Sequence, residues 1–221
     1  SRLGTLLKKE YSAQVNIKDK EPYVQFTSDG KILPLTENLN VEFKSLNLDD
    51  VIFSVEKVYR NNLVNYLSGG SYQTKFISEK TLVIREGELN QEVKNLINLR
   101  TLLNTVYPGL YKITLRDPKK YYNYSTLFLH ISNAGLIVKN DASDLIVYAV
   151  DVLKLAPLAN ARLSLVSQEN QILKTVITDA NGRGRFNNFK STEENLNPFI
   201  ILIEHADDYS YLLLQDNDLD Y

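Results

Sequence analysis

The chain has 221 residues, 43% of them apolar and 24% charged, with a formal net charge of −2 and no cysteine. That composition buries a core and excludes a disordered chain, while the near-neutral charge lacks the basic footprint that nucleic-acid binding requires. The missing thiols exclude disulfides, thiolate metal sites and cysteine nucleophiles within this stretch, and the length suits two sandwich domains of about 100 residues each better than one.

The start, Ser1-Arg2-Leu3-Gly4, has neither the charged nor the apolar region of a signal peptide, and the chain contains no run of about 18 apolar residues. With no initiating Met, the chain is expected to be mature, soluble sequence from a longer polypeptide, with any lipid anchor upstream. Residues 1–20 pattern poorly with the rest of the chain and run into the charged stretch Lys18-Asp19-Lys20-Glu21-Pro22. They read as the tail of a preceding domain or a lead-in strand lying against this one.

From residue 21 onward, alternation dominates. Leu39, Val41 and Phe43 point one way while Asn40, Glu42 and Lys44 point the other, the period-two signature of a half-buried strand. Val51 to Val55, Val93 to Leu99, Leu110 to Leu115 and Thr126 to Ile131 are further β-rich runs. A short helix is expected at Asn61 to Leu67, stopped by Ser68-Gly69-Gly70, and a helical turn at Thr101 to Thr105, closed by Pro108-Gly109. The boundary falls near Ser132-Asn133-Ala134, a connection short enough to restrict motion between units.

The second half carries seven expected strands: Gly135 to Val138, Asp144 to Val150, Ala161 to Val166, Ile172 to Thr178, Gly184 to Phe186, Phe199 to Ile203 and Tyr209 to Leu214. Asn181-Gly182 predicts a type I′ hairpin between the fourth and fifth, since that turn needs positive φ at both central residues. The fold class is therefore all-β: two consecutive immunoglobulin- or fibronectin-III-like antiparallel β-sandwiches over residues 21–132 and 133–221, with one or two short helical turns. Each is expected to keep its apolar face inside and offer polar rims to its neighbour. Phe53, Tyr111 and Ile113 are candidates for the first core, and Gly109 for a tight corner after Pro108.

No catalytic constellation emerges. Nucleophilic catalysis needs a nucleophile, a base and an orienting group, with His the usual base; the two histidines, His130 and His205, read as strand-face and strand-end residues. Asp179-x-Asn181-x-Arg183-Gly184 starts like a calcium loop, but Arg183 and Lys190 stand where oxygen ligands belong, so it reads as a turn. Asp216-Asn217-Asp218-Leu219-Asp220, with Asp207 and Asp208, could chelate calcium at a domain junction but reads rather as a solvated acidic linker. Ser68-Gly69-Gly70-Ser71 lacks the Lys-Ser/Thr of a phosphate loop. Lys119-Lys120-Tyr121-Tyr122-Asn123-Tyr124 interleaves base and aromatic as glycan and single-strand platforms do, with an edge loop packed on a neighbour as its plainer reading. Asn123-Tyr124-Ser125 fits a glycosylation sequon. Catalytic, cofactor-binding and metal-ligating residues are thus expected to be none, and no nucleic acid, small-molecule substrate or cofactor is expected to bind.

Four phrases together resemble the bacterial alpha-2-macroglobulins. Ile32-Leu33-Pro34-Leu35 after Gly30, with Asn47-Leu48-Asp49-Asp50-Val51, is similar to that family's opening pattern. Pro108-Gly109-Leu110-Tyr111 resembles its "P-G-x-Y" strand start, and Ile131-Ser132-Asn133-Ala134-Gly135-Leu136 its junction between consecutive domains, with Asn133-Ala134 where the family has Asp-Leu. Ala156-Pro157-Leu158-Ala159-Asn160-Ala161 through Thr178-Asp179 to Phe186 is similar to a further domain phrase.

The resemblance implies macroglobulin-type domains from the N-terminal half of a broad-range protease trap. In such a molecule a protease cuts a bait region and, in many members, a Cys–Gln thioester captures the attacker; without Cys this stretch holds no thioester. The implied role is a non-catalytic frame whose partners are neighbouring domains of the parent chain and, through the parent, proteases. The implied location is the periplasm or outer cell envelope, with membrane contact only through an upstream lipid anchor. The competing reading is a surface adhesin or binding module built of the same sandwiches, since fold alone never fixes function.

Overall fold

The structure is a computed structural model that describes residues 12–14, 18–27, 32–84, 87–103, 105–141, 143–190 and 196–214. The first half forms β1 (Tyr23–Phe26), β2 (Ile32–Leu33), β3 (Asn40–Leu46), β4 (Asp50–Val58), β5 (Thr74–Val83), β6 (Glu92–Asn98), β7 (Gly109–Arg116) and β8 (Tyr124–Ile131). Between β4 and β5 a 3-10 turn (Arg60–Asn62) runs into helix α1 (Leu63–Leu67). The strands make a three-stranded sheet, β1-β3-β6, facing a five-stranded sheet, β2-β8-β7-β4-β5. Pairing is antiparallel except for β2 against β8.

Alternation sets the core, because successive side chains point to opposite faces of a sheet. Val41 and Phe43 from β3 meet Val51, Phe53 and Val55 from β4 and Tyr111, Ile113 and Leu115 from β7, all at most 3% exposed. Sandwich packing of this kind interdigitates two inner faces into one core.

The second half forms β9 (Ala134–Asp141), β10 (Asp144–Asp151), β11 (Ala156–Pro157), β12 (Arg162–Ser167), β13 (Ile172–Ile177), β14 (Arg183–Phe186), β15 (Pro198–His205) and β16 (Asp208–Leu213). One sheet holds β9, β10, β11 and β14; the other runs β13-β12-β15-β16. Leu145, Val147, Ala149, Leu163, Leu165, Phe186, Ile201 and Ile203 are buried between them.

Three local expectations need correction. The Asn181-Gly182 turn is not a type I′ hairpin: only Gly182 has positive φ (71°), and β13 pairs with β12 while β14 pairs with β10, so the turn carries the chain from one sheet to the other. The cause is Asp179, whose Oδ1 accepts from the amides of Asn181 and Arg183 at 2.9 Å each, fixing a different loop. The glycine lies flat on β10, where its carbonyl accepts from Ala149 at 2.8 Å and a Cβ would sit 2.4 Å from the Ala149 oxygen. The helical turn expected at Thr101 to Thr105 instead occupies Leu99–Thr101, because the Asn98 side chain caps the Arg100 amide at 3.0 Å and starts it early; position 104 lies outside the described residues. An eighth strand, the two-residue β11, joins the seven expected ones.

A fourth correction concerns how the two sandwiches meet, and it bears on function. Instead of polar rims, the outer face of the five-stranded sheet packs on the outer face of β13-β12-β15-β16 through a third apolar cluster. Val58, Leu63, Val64 and Leu110 come from the first half, and Val166, Ile200 and Tyr209 from the second, each at most 7% exposed.

Candidate functional site

The junction between the sandwiches is the part of the molecule where residues from distant elements converge on one buried surface. Parity explains it. Along β15, Ile201 and Ile203 point into the second core, so Ile200 and Leu202 point out; along β16 the outward set is Tyr209, Tyr211 and Leu213. From the first half, Val58, Leu110 and Phe128 lie on the outer face of their sheet, extended by Leu63, Val64, Tyr66 and Leu67 of α1. Tyr66 and Phe128 rings stack at 4.4 Å between centroids, with Tyr72 edge-on to both, an arrangement that adds to simple area burial.

Two polar residues, Tyr209 and His130, make hydrogen bonds across this apolar contact. Tyr209 is held at both ends: its hydroxyl accepts from the Leu110 amide at 3.3 Å and its carbonyl lies 2.8 Å from His130 Nε2. His130 is fully buried, flanked by the edges of the Tyr209 and Tyr211 rings at 5.2 Å each. Burial pushes the imidazole below its ordinary value of 6.5; the Tyr209 carbonyl and Asp208 oppose that push, and Lys57 adds to it. Burial also raises the Tyr211 hydroxyl to about 12, with Tyr66 and Tyr209 adding to the effect.

Asn133, the residue where the family resemblance departs, ties the junction together. Its side-chain oxygen accepts from Leu35 at 2.8 Å, its amide donates to Asp208 Oδ2 at 2.8 Å, and its carbonyl accepts from Val152 at 2.9 Å. Arg60 pairs with Glu204, and Asn170 donates to the Asn61 carbonyl at 3.2 Å, closing the far rim. Beside Asn133 an open cleft of about 350 Å³ is lined by Pro108, Asp151, Lys154 and His205 to Asp208.

The proline-glycine corner also serves this contact. Gly109 has φ +143°, and a Cβ there would meet Lys57 Cε at 2.5 Å and the Tyr209 hydroxyl at 3.2 Å. Lys57 donates to the Pro108 carbonyl at 2.7 Å. Tyr111 closes the corner from inside, donating to the Tyr107 carbonyl at 2.6 Å, and burial lifts its hydroxyl to about 12. A tyrosine bonding back to backbone a few residues upstream is a recurring device of sandwich corners.

The remaining sequence candidates lie apart from one another. His205 ends β15, where it pairs with Asp208 across the turn at Ala206. The Ser68–Ser71 stretch continues from α1 as a turn and loop. Tyr121, Tyr122 and Tyr124 are 78%, 67% and 61% exposed in and after the β7–β8 loop, which is braced by Lys120 on Glu21 and by Asn123 on Asp117 and the Pro22 carbonyl. Asp216 to Asp220 lie outside the described residues. Among the described residues, no three His, Asp or Glu side chains gather to hold a metal ion, and no helix is long and apolar enough to cross a membrane.

The fold is thus a tandem of antiparallel β-sandwiches packed against each other through one apolar face. Residues 131–221, the second sandwich, match the family model described as the bacterial alpha-2-macroglobulin MG3 domain. No curated protein matches the chain. Among solved structures, native alpha-2-macroglobulin from Escherichia coli spanning domains MG0-NIE-MG1 is similar over 94% of this chain and 69% of that one, at 19% identity and a TM-score of 0.72. Its NIE-MG1 fragment is similar over 90% of this chain and 99% of that one, at 19% identity and a TM-score of 0.71. Salmonella alpha-2-macroglobulin reacted with methylamine is similar over 92% of this chain but only 12% of that one, at 17% identity and a TM-score of 0.68. At these identities the structural likeness is one of fold, and it extends across both sandwiches.

Proposed function

We propose that the chain is a non-catalytic structural segment of a bacterial alpha-2-macroglobulin-like protease inhibitor, a protease trap of the cell envelope. The observation that carries the reading is the apolar face shared by the two sandwiches. It makes them a single rigid block, which is what a molecule that rearranges around a cut bait needs from its frame. The family match of the second sandwich supports the same reading. The two units are taken as residues 21–132 and 133–221, with residues 1–20 leading in, and their working partners are neighbouring domains of the parent and, through it, proteases. The periplasm or outer envelope is the location that fits this role.

The test is made on the parent polypeptide, recovered from cell envelopes with antibody to this chain and weighed intact with and without methylamine and after challenge with trypsin. A very large chain cut at one region, with the protease retained, supports the trap; one methylamine adduct further marks a thioester-bearing member. A short or simply repetitive chain that ignores protease contradicts it. In that case the exposed tyrosines of the β7–β8 loop favour a surface-binding module, since aromatic side chains with a wet face and a basic neighbour suit glycan or protein contacts.

A further inference from the structure

We propose that His130 is an acid-sensitive latch between the two sandwiches, sealing their apolar junction while neutral and loosening it when protonated. The inference concerns the junction alone and does not depend on the protease-inhibitor reading.

The tautomer is dictated by the partner. A carbonyl oxygen only accepts, so the 2.8 Å contact with Tyr209 requires the proton on Nε2. The other nitrogen, Nδ1, is therefore the bare acceptor, and it is buried without a hydrogen-bond partner. Protonation at Nδ1 places a donor where none is satisfied and a charge against an apolar cluster, both of which disfavour the closed contact. Outside the junction the same imidazole hydrates freely, so the proton it takes up favours the open arrangement.

The groups facing His130 leave this balance intact. From β16 come the Tyr209 and Tyr211 rings and the Asp208 carboxylate; from β4 comes Lys57. Asp208, whose Oδ2 accepts from the Asn133 amide and whose Oδ1 is buried without a partner, favours the charged ring but does not outweigh burial. Lys57 repels an imidazolium. On the partner strands β7 and β2, Leu110 and Ile32 stand opposite His130 and offer no counter-charge.

The direction is fixed by linkage. A base whose value is depressed in the closed state keeps its full contribution above the ordinary value of 6.5 and loses it as pH falls from 6.5 toward the depressed one. One proton taken up on opening raises the opening constant at most about tenfold per pH unit across that window.

Hydrogen exchange of the whole chain, corrected for intrinsic rates, tests this from pH 8 to pH 5. Protection of the Leu110 amide and of peptides over β15 and β16 is expected to fall below pH 6.5 by up to about tenfold per unit, while His130→Gln, which still donates to the Tyr209 carbonyl but does not titrate, flattens the profile. His205→Gln is expected to keep the wild-type slope. A flat wild-type profile, or an equal slope in His130→Gln, overturns the latch. Should that variant fail to fold, nitrogen-15 imidazole signals of the native chain decide. An Nε2-protonated ring that resists protonation until the junction opens supports the proposal; ordinary titration near 6.5 with protection unchanged refutes it.

Discussion

Replacing Ile200 by Ala probes the junction directly, because neighbouring residues on β15 point to opposite faces. Ile201 is fully buried in the second core, and Ile200 is 1% exposed in the cluster shared with Val58, Leu63 and Leu110. Truncating a buried Ile to Ala costs about 2–5 kcal/mol, the sum of lost transfer free energy and the cavity left behind. A residue on the free outer face of a lone sandwich changes stability by about 0.5 kcal/mol or less. The structure thus predicts that Ile200→Ala and Ile201→Ala destabilise the chain by comparable amounts, about 2–5 kcal/mol each. The assay is equilibrium urea unfolding monitored by circular dichroism, with unchanged m-values confirming that stability alone has moved. A loss of about 0.5 kcal/mol or less for Ile200→Ala, beside a full loss for Ile201→Ala, refutes the packed junction.

The same geometry sets three further outcomes. Gly109→Ala is expected to destabilise by about 1–3 kcal/mol, because φ is +143° and the new Cβ displaces Lys57 and the Tyr209 hydroxyl; thermal melting reads the loss. Tyr111→Phe removes the 2.6 Å bond to the Tyr107 carbonyl and is expected to cost about 1–3 kcal/mol, with faster exchange confined to residues 105–111. Ala206→Gly should stabilise the chain, since Ala206 holds φ +51° in a region that penalises a Cβ by about 1 kcal/mol; a lowered melting temperature would count against the strained turn.

Strands with one buried face were legible because period-two alternation writes that face into the sequence, as in Leu39, Val41 and Phe43, whereas β5, which has no buried residue, was not expected. The junction was harder to see. Phe199-Ile200-Ile201-Leu202-Ile203 is apolar at every position, the mark of a strand covered on both sides, yet a continuous run also suits a single buried face with ragged edges. What covers the second face is set by Leu110, Phe128 and α1, some 70 to 140 residues earlier, and no local pattern encodes that distance. His130 shows the same limit: its place on a strand face was readable, whereas its contact with Tyr209 depends on the two units docking. At Asn181-Gly182 the local signal misled because a side chain, Asp179, took over the amides that a two-residue hairpin would leave to the ladder. Among the described residues the two histidines stand in separate surroundings, a separation that only the docked fold reveals.

The central claim, that the two sandwiches form one block, is tested most directly by native-state hydrogen exchange of the whole chain at neutral pH in increasing urea. Amides deep in each core, Ile113 of β7 and Leu165 of β12, report on each sandwich separately. Both are expected to exchange through one shared opening, with a single free energy and a single urea dependence. Two distinct openings, one sandwich unfolding while the other keeps full protection, would contradict it and return the molecule to two beads on a short string.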